Sequence, residues 1–217
     1  SLIDHQSYDA YLLTKKATLF DEDADTSFRI NRFNWQSPTR GFGRYLDPEA
    51  AAARGRIGFD CIIGNPPYIR VQELNKWAPD ECEFYKWRYQ SAKKGNYDIY
   101  VVFTEKALSL LAPDGLLGFI MPHKWWQAQY GEGLRKIIAD GKHLRAVVDF
   151  AHHQAFEGAT TYTAIHVLSR DPNSSSVDYA RFTELTDGVA QCGLLDSEPA
   201  RAAIGVSRSS VGVPAAG

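Results

Sequence analysis

Asn65, Pro66, Pro67 and Tyr68 stand in an order that could do a specific piece of chemistry. The Asn65 side-chain carbonyl and the Pro66 carbonyl are acceptors, and neither proline has an N–H to donate. Two converging acceptors suit an NH2 group. An amine whose lone pair is delocalised into an aromatic ring, as in adenine, is a poor nucleophile. One acceptor on each N–H favours a tetrahedral nitrogen whose lone pair can meet an electrophilic methyl group, which is transition-state electrostatics and not strong-base catalysis. Tyr68 adds an aromatic face on which an extruded base can stack. Asn and Pro are also ordinary turn residues, so a plain turn is the simpler reading. The succession of strand, Gly, Asn, two prolines and an aromatic is far rarer than a turn requires.

The element that must hold this corner is the run before it. Cys61, Ile62 and Ile63 show no alternation and are stopped by Gly64, which predicts a strand buried on both faces, as in parallel sheets. Open α/β sheets bind ligands outside the carboxyl ends of their strands, and two prolines there fix φ. Further on, Asp98 is a natural N-cap for a helix whose apolar face includes Ile99, Val102, Phe103, Ala107, Leu110 and Leu111. Leu116 to Met121 reads as a second buried strand, whose end should lie beside the first. That places Lys124 and Trp125 at the rim of the site, while Trp126 reads more simply as an anchor for the loop. Ala128 to Asp140 reads as a helix closed by Gly141, Leu144 to Phe150 as a third strand, and Tyr162 to Leu168 as a fourth, hairpinned to it. Ahead of the corner, a helix is expected over Ser7 to Phe20 and a short one over Pro48 to Arg54.

Trp77 to Lys94 interleaves aromatics and cations, including Tyr85, Trp87, Arg88, Lys93 and Lys94. Cations meet phosphates and aromatics stack on bases, which makes this a local DNA-contact candidate; a cap over the sheet explains it equally well. A metal site at His143, His152, His153 and His166 is disfavoured, because adjacent residues of an extended chain point apart and helical His-x-x-x-His spacing is missing.

The chain has 217 residues, a formal charge of −2 and three cysteines without C-x-x-C spacing. That is length for one domain and the start of another, in a reducing, cytoplasmic setting. No span or signal-peptide pattern is present. The near-neutral charge requires any nucleic-acid contact to be local or supplied by another region.

FDCIIGNPPYIR resembles the catalytic motif of adenine-specific (N6) DNA methyltransferases that use S-adenosylmethionine. NYDIYVVFTEKALSLLAPDGLLGFIMPHKWW, YGEGLRKII and VVDFAHHQAFEGATTYTAIHVL resemble the motifs that follow it in that family, in order and spacing. The nearest likeness is to large single-chain restriction-modification (Type IIG-like) and phage-exclusion methyltransferases, over Phe59 to Arg170. Similar NPPY corners occur in protein-glutamine and RNA methyltransferases, so the tetrapeptide alone leaves the substrate open. The resemblance implies an α/β fold, the catalytic half of a Rossmann-like methyltransferase sheet. It implies catalytic roles for Asn65, Pro66, Pro67 and Tyr68, base packing by Tyr68 and Phe156, and cofactor contact by Pro67 and Phe103. It also implies S-adenosylmethionine as cofactor and double-stranded DNA as partner. The family's Gly-rich cofactor turn and the acidic residue that ends its next strand are not evident. Residues 1–58 are therefore expected to be a lead-in, 59–170 the catalytic half, and 171–217 a linker toward a target-recognition region, with the cofactor half preceding Ser1. A non-catalytic fragment that binds nucleic acid or a partner is the alternative of a different class.

Overall fold

In a computed structural model of the protein, residues 2–18, 32–37, 39–151, 162–171, 173, 176–182 and 206–212 are described, with backbone only for 16–18, 182 and 206–212. Strands β1 (Phe59–Gly64), β2 (Leu111–Pro122), β3 (Leu144–Asp149), β4 (Thr163–Ser169), β5 (Ser176–Phe182) and β6 (Val206–Gly212) form one sheet in the order β1-β2-β4-β3-β5-β6. β1 runs parallel to β2, and β3 to β5. β4 lies antiparallel between β2 and β3, hairpinned to β3 as its sequence suggested, and β6 is antiparallel to β5. The helices are α1 (His5–Thr18), the short α2 (Gly43–Leu46) and α3 (Pro48–Ala52), α4 (Val71–Trp77), α5 (Pro79–Arg88), α6 (Ile99–Leu110) and α7 (Glu132–Asp140). The α4–α6 crossover between β1 and β2 is what a parallel pair demands, since a tight hairpin cannot join parallel strands. The fold is mixed α/β and Rossmann-like.

The helices pack on one face of the sheet. Leu117, Phe119 and Met121 of β2 and Leu168 of β4 join Val101, Val102 and Leu108 of α6 and Leu134 and Ile138 of α7 in the core. The opposite face differs from expectation. β1 was read as buried on both sides, yet Cys61 is exposed and Ile63 is 83% exposed. Two facts explain this: β1 is an edge strand, and its register opposite Leu116 and Gly118 turns Cys61 and Ile63 away from the helices. A run without alternation is therefore compatible with a strand covered on one side only.

Two glycines fix the approach to the corner. At Gly58 (φ +112°) a Cβ would lie 2.3 Å from the Ala112 nitrogen, so only glycine lets the chain pass under the start of β2. At Gly64 a Cβ would meet the Phe119 ring at 3.0 Å.

β5 and β6 lie within residues 171–217 and extend the sheet beyond β3. β5 matches the one further strand that the sequence suggests over Val177 to Phe182, and it pairs along β3 with Asp149 opposite Arg181. No helix among the described residues is long and apolar enough to cross a membrane.

Candidate active site

The chain leaves β1 at Gly64 and enters the Asn65–Tyr68 corner, which separates two cavities. One, of about 520 Å³, is lined by Asn65, Pro66 and Pro67 together with Ile62, Phe103, Trp35 and Lys106. The other, of about 740 Å³, is lined on the far side by Tyr68, Arg70, Asp98, His123, Lys124 and Trp126, among others. Pro66 is buried and anchors the corner, while Asn65 and Pro67 are exposed. Among the described residues no hydrogen bond occupies the Asn65 side chain, so its carbonyl oxygen is available to a ligand.

Tyr68 is held from two directions. Its hydroxyl donates to the Ile120 carbonyl at 3.0 Å, and its ring meets Tyr100 edge-on at 6.2 Å. Burial pushes its phenol pKa up, so it stays a neutral donor. β2 thus fixes the corner from the neighbouring strand. Beneath it, the Tyr100 and Tyr130 hydroxyls lie 2.7 Å apart, and Tyr130 donates to Asp98 Oδ2 at 3.1 Å. Burial raises both phenols, that of Tyr130 to about 12. Asp98 occupies the N-cap position of α6, but its side chain makes no cap bond there; it serves Tyr130 instead.

Phe103 and Pro67 both lie on the first cavity's wall. Trp35, Ile62 and Phe103 give the cavity an apolar lining that suits an adenine ring. Lys106, largely buried, is neutralised by Asp4 at 3.4 Å. These residues fit the adenine portion of S-adenosylmethionine. Among the described residues, no turn of the Gly-rich kind accompanies them.

The second cavity gathers residues from four strand ends. Lys124 is exposed on its wall, where the sequence placed it. The two tryptophans exchange their expected places. Trp125 is 4% exposed, with its ring 5.5 Å from His166, and cannot reach a nucleic acid; Trp126 lines the cavity and donates its indole N–H to His166 Nε2 at 2.9 Å. Burial lowers the His166 pKa to about 3, so the ring stays neutral and accepts that bond. Asp149, 4% exposed at the end of β3, accepts from the Ala151 amide at Oδ1 and the Tyr179 hydroxyl at Oδ2, each at 2.8 Å, with His123 Nδ1 3.4 Å from Oδ1.

The aromatic and cationic strip is mostly structural. Tyr85 is 4% exposed inside the core and bonds Glu81, which removes it as a DNA contact. Arg88 bonds Ser7 and lies over Tyr89; Lys94 pairs with Glu132 at 2.5 Å; Trp87, 41% exposed, packs on Phe84 and Tyr11. Lys93 is exposed. Alternating aromatics and cations along a helix therefore marked a half-buried face, with Phe84, Tyr85 and Tyr89 inward and the cations at its margin. Phe156, His152 and His153 lie outside the described residues. No group of metal-binding side chains occurs among the described residues. Arg70, Asp98, His123 and Asp149 were not singled out for this cavity by sequence. A carboxylate ending the apolar run Ala146–Val147–Val148 is the one signal that was there to find.

The Asn65–Tyr68 corner thus stands at a strand end of a mixed α/β sheet, between two cavities. The chain belongs to the family described as Eco57I restriction-modification methylase, which matches residues 2–156. It is 37% identical over 113 residues to the type II restriction enzyme and methyltransferase RM.Eco57I of Escherichia coli, covering 52% of this chain and 11% of that protein. It is 36% identical over 135 residues to the type II methyltransferase M.PaeR7I of Pseudomonas aeruginosa, covering 58% and 23%. Among solved structures, the type IIG restriction endonuclease BpuSI aligns with a TM-score of 0.49 at 15% identity, over 70% of this chain and 19% of that one. The chain thus spans less than a quarter of the length of these relatives.

Proposed function

We propose that this chain carries the catalytic corner of a DNA adenine N6-methyltransferase of a restriction-modification system. The observation that carries the reading is the Asn65–Tyr68 corner standing between an apolar cavity and a polar one, with the Asn65 carbonyl unoccupied. S-adenosylmethionine, on the apolar side, supplies a methyl group bound to a sulfonium. Phe103, Trp35 and Pro67 would hold its adenine ring. On the other side Tyr68, fixed by Ile120 and Tyr100, offers its ring to the target base. Asn65 Oδ1 and the Pro66 carbonyl accept the two N–H bonds of the base's exocyclic amine. As the amine becomes tetrahedral, both bonds strengthen, which lowers the barrier without a strong base. Burial of Pro66 and the rigidity of two successive prolines keep these acceptors in place.

The test is transfer of a labelled methyl group from S-adenosylmethionine to three acceptors: mixed-sequence duplex DNA, RNA, and a glutamine-containing protein. Incorporation into DNA, lost in Asn65→Ala, supports the reading. Incorporation into RNA or protein alone reassigns the substrate.

A further inference from the structure

We propose that Arg70, Lys124 and Arg181, with His123 beside them, form a phosphate cradle for the backbone of the nucleotide whose base lies on Tyr68. The inference rests on the reading of Tyr68 as the surface that takes an extruded base.

All four side chains line the same 740 Å³ cavity as Tyr68. They arrive from separate elements: Arg70 from the segment after β1, His123 and Lys124 from the turn after β2, and Arg181 from β5. The common location is the carboxyl end of parallel strands, where open α/β sheets receive ligands. Two carboxylates share the cavity, each already holding hydrogen bonds from the protein. Asp98 accepts from Tyr130, and Asp149 accepts from Ala151 and Tyr179. Arg70 and Lys124 are exposed and have no carboxylate partner among the described residues, and Arg181 approaches Asp149 only at 3.9 Å. Elsewhere the surface cations Lys76, Lys94 and Lys136 each hold a carboxylate. Two exposed cations without a carboxylate partner among the described residues, Arg70 and Lys124, thus share with Arg181 the cavity that Tyr68 walls.

The chemistry that fits is an anion attached to an aromatic base. A base on Tyr68 is tethered to a sugar and two phosphates, which must lie at the mouth if the base lies inside. Arginine presents a fork of N–H donors to phosphate oxygens, and lysine a point charge. A chain with a net charge of −2 has no global attraction for DNA, so such a local cluster carries the electrostatic part of binding. In the strip over Trp77 to Lys94, Phe84, Tyr85 and Tyr89 are buried and Arg88 and Lys94 are already engaged, and its residues do not line the cavity that Tyr68 walls.

The experiment is fluorescence anisotropy of the 217-residue protein with a duplex oligonucleotide containing one unpaired adenine, which lowers the cost of extrusion. Affinity is measured across salt from about 50 to about 200 mM for the wild type, Arg70→Gln, Lys124→Gln and Arg181→Gln, with Lys76→Gln and Lys86→Gln as controls. Each cradle variant is expected to weaken binding and to reduce the log–log salt slope by roughly 1, while the controls keep the wild-type slope. Absence of binding, or slopes unchanged in all three cradle variants, overturns the proposal. Tighter binding to single-stranded RNA of matching sequence overturns its assignment to DNA. Binding is read without cofactor, so a positive result stands even if methyl transfer fails. Adenine methylation with unchanged slopes removes the cradle alone.

Discussion

Asn65 and Tyr68 divide the chemistry between an acceptor and a platform; Asn65 is exposed, while Tyr68 also packs against the core. Asn65 is exposed, so Asn65→Ala should leave the melting temperature near that of the wild type. Loss of one preorganised polar contact to the reacting group should slow methyl transfer by roughly 10²- to 10³-fold; near-normal turnover in a single-turnover assay would remove Asn65 from the mechanism. Tyr68→Ala should cost roughly 1–3 kcal/mol of base stacking. Tyr68→Phe keeps the ring and loses only the bond to Ile120, about 1 kcal/mol of stability. A Phe variant as inactive as the Ala variant would assign the hydroxyl, and not the ring, to the reaction. The roles of this corner were legible in the sequence because they depend on residue type and order. Trp125 and Trp126 were not, because adjacent aromatics after a strand end do not reveal which faces the core. Only the pairing of Trp126 with His166, 40 residues away, decides it.

At the level of elements, β2 is the strand on which the site is built. It pairs with β1, supplies the acceptor for Tyr68, and ends in the turn bearing His123 and Lys124. Its two faces are unequal: Leu117 is fully buried and Leu116 is 47% exposed. Leu117→Ala should therefore destabilise the fold by roughly 2–5 kcal/mol in urea denaturation, and Leu116→Ala by less than about 1 kcal/mol. Comparable losses at both positions would mean that the second face is covered as well. The strands and the long helix were readable from apolar runs, Gly stops and the Asp98 start. The burial of β1 was misjudged because periodicity reports what a strand could bury, while its place at the sheet edge comes from pairings far apart in sequence.

For the whole molecule, the buried imidazole of His166 couples stability to pH. Burial holds its pKa at about 3, against 6.5 for the free side chain. Between these values the unfolded chain binds a proton that the folded chain refuses, so stability is present above pH 6.5 and falls as the pH drops. Lowering the pH from about 7 to about 5 should cost roughly 2 kcal/mol through this group. His143, also lowered by burial, acts in the same direction. Glu83, held below the usual carboxylate range by its bond to Lys15, contributes only at more acidic pH. His166→Gln, which keeps an acceptor for Trp126, should make the dependence shallower over that window; an unchanged slope in urea titrations would show that His166 is accessible to protons.

The direct measurement of the central claim is the nucleoside composition of DNA from a methylation-deficient bacterial host expressing the gene that carries this sequence. A genome presents every target sequence, so the recognition site need not be known. The account predicts N6-methyldeoxyadenosine in hydrolysed DNA, detected by mass spectrometry, and its disappearance with Asn65→Ala. Methylated cytosine in place of methylated adenine, or N6-methyldeoxyadenosine that persists in the Asn65→Ala variant, would contradict it.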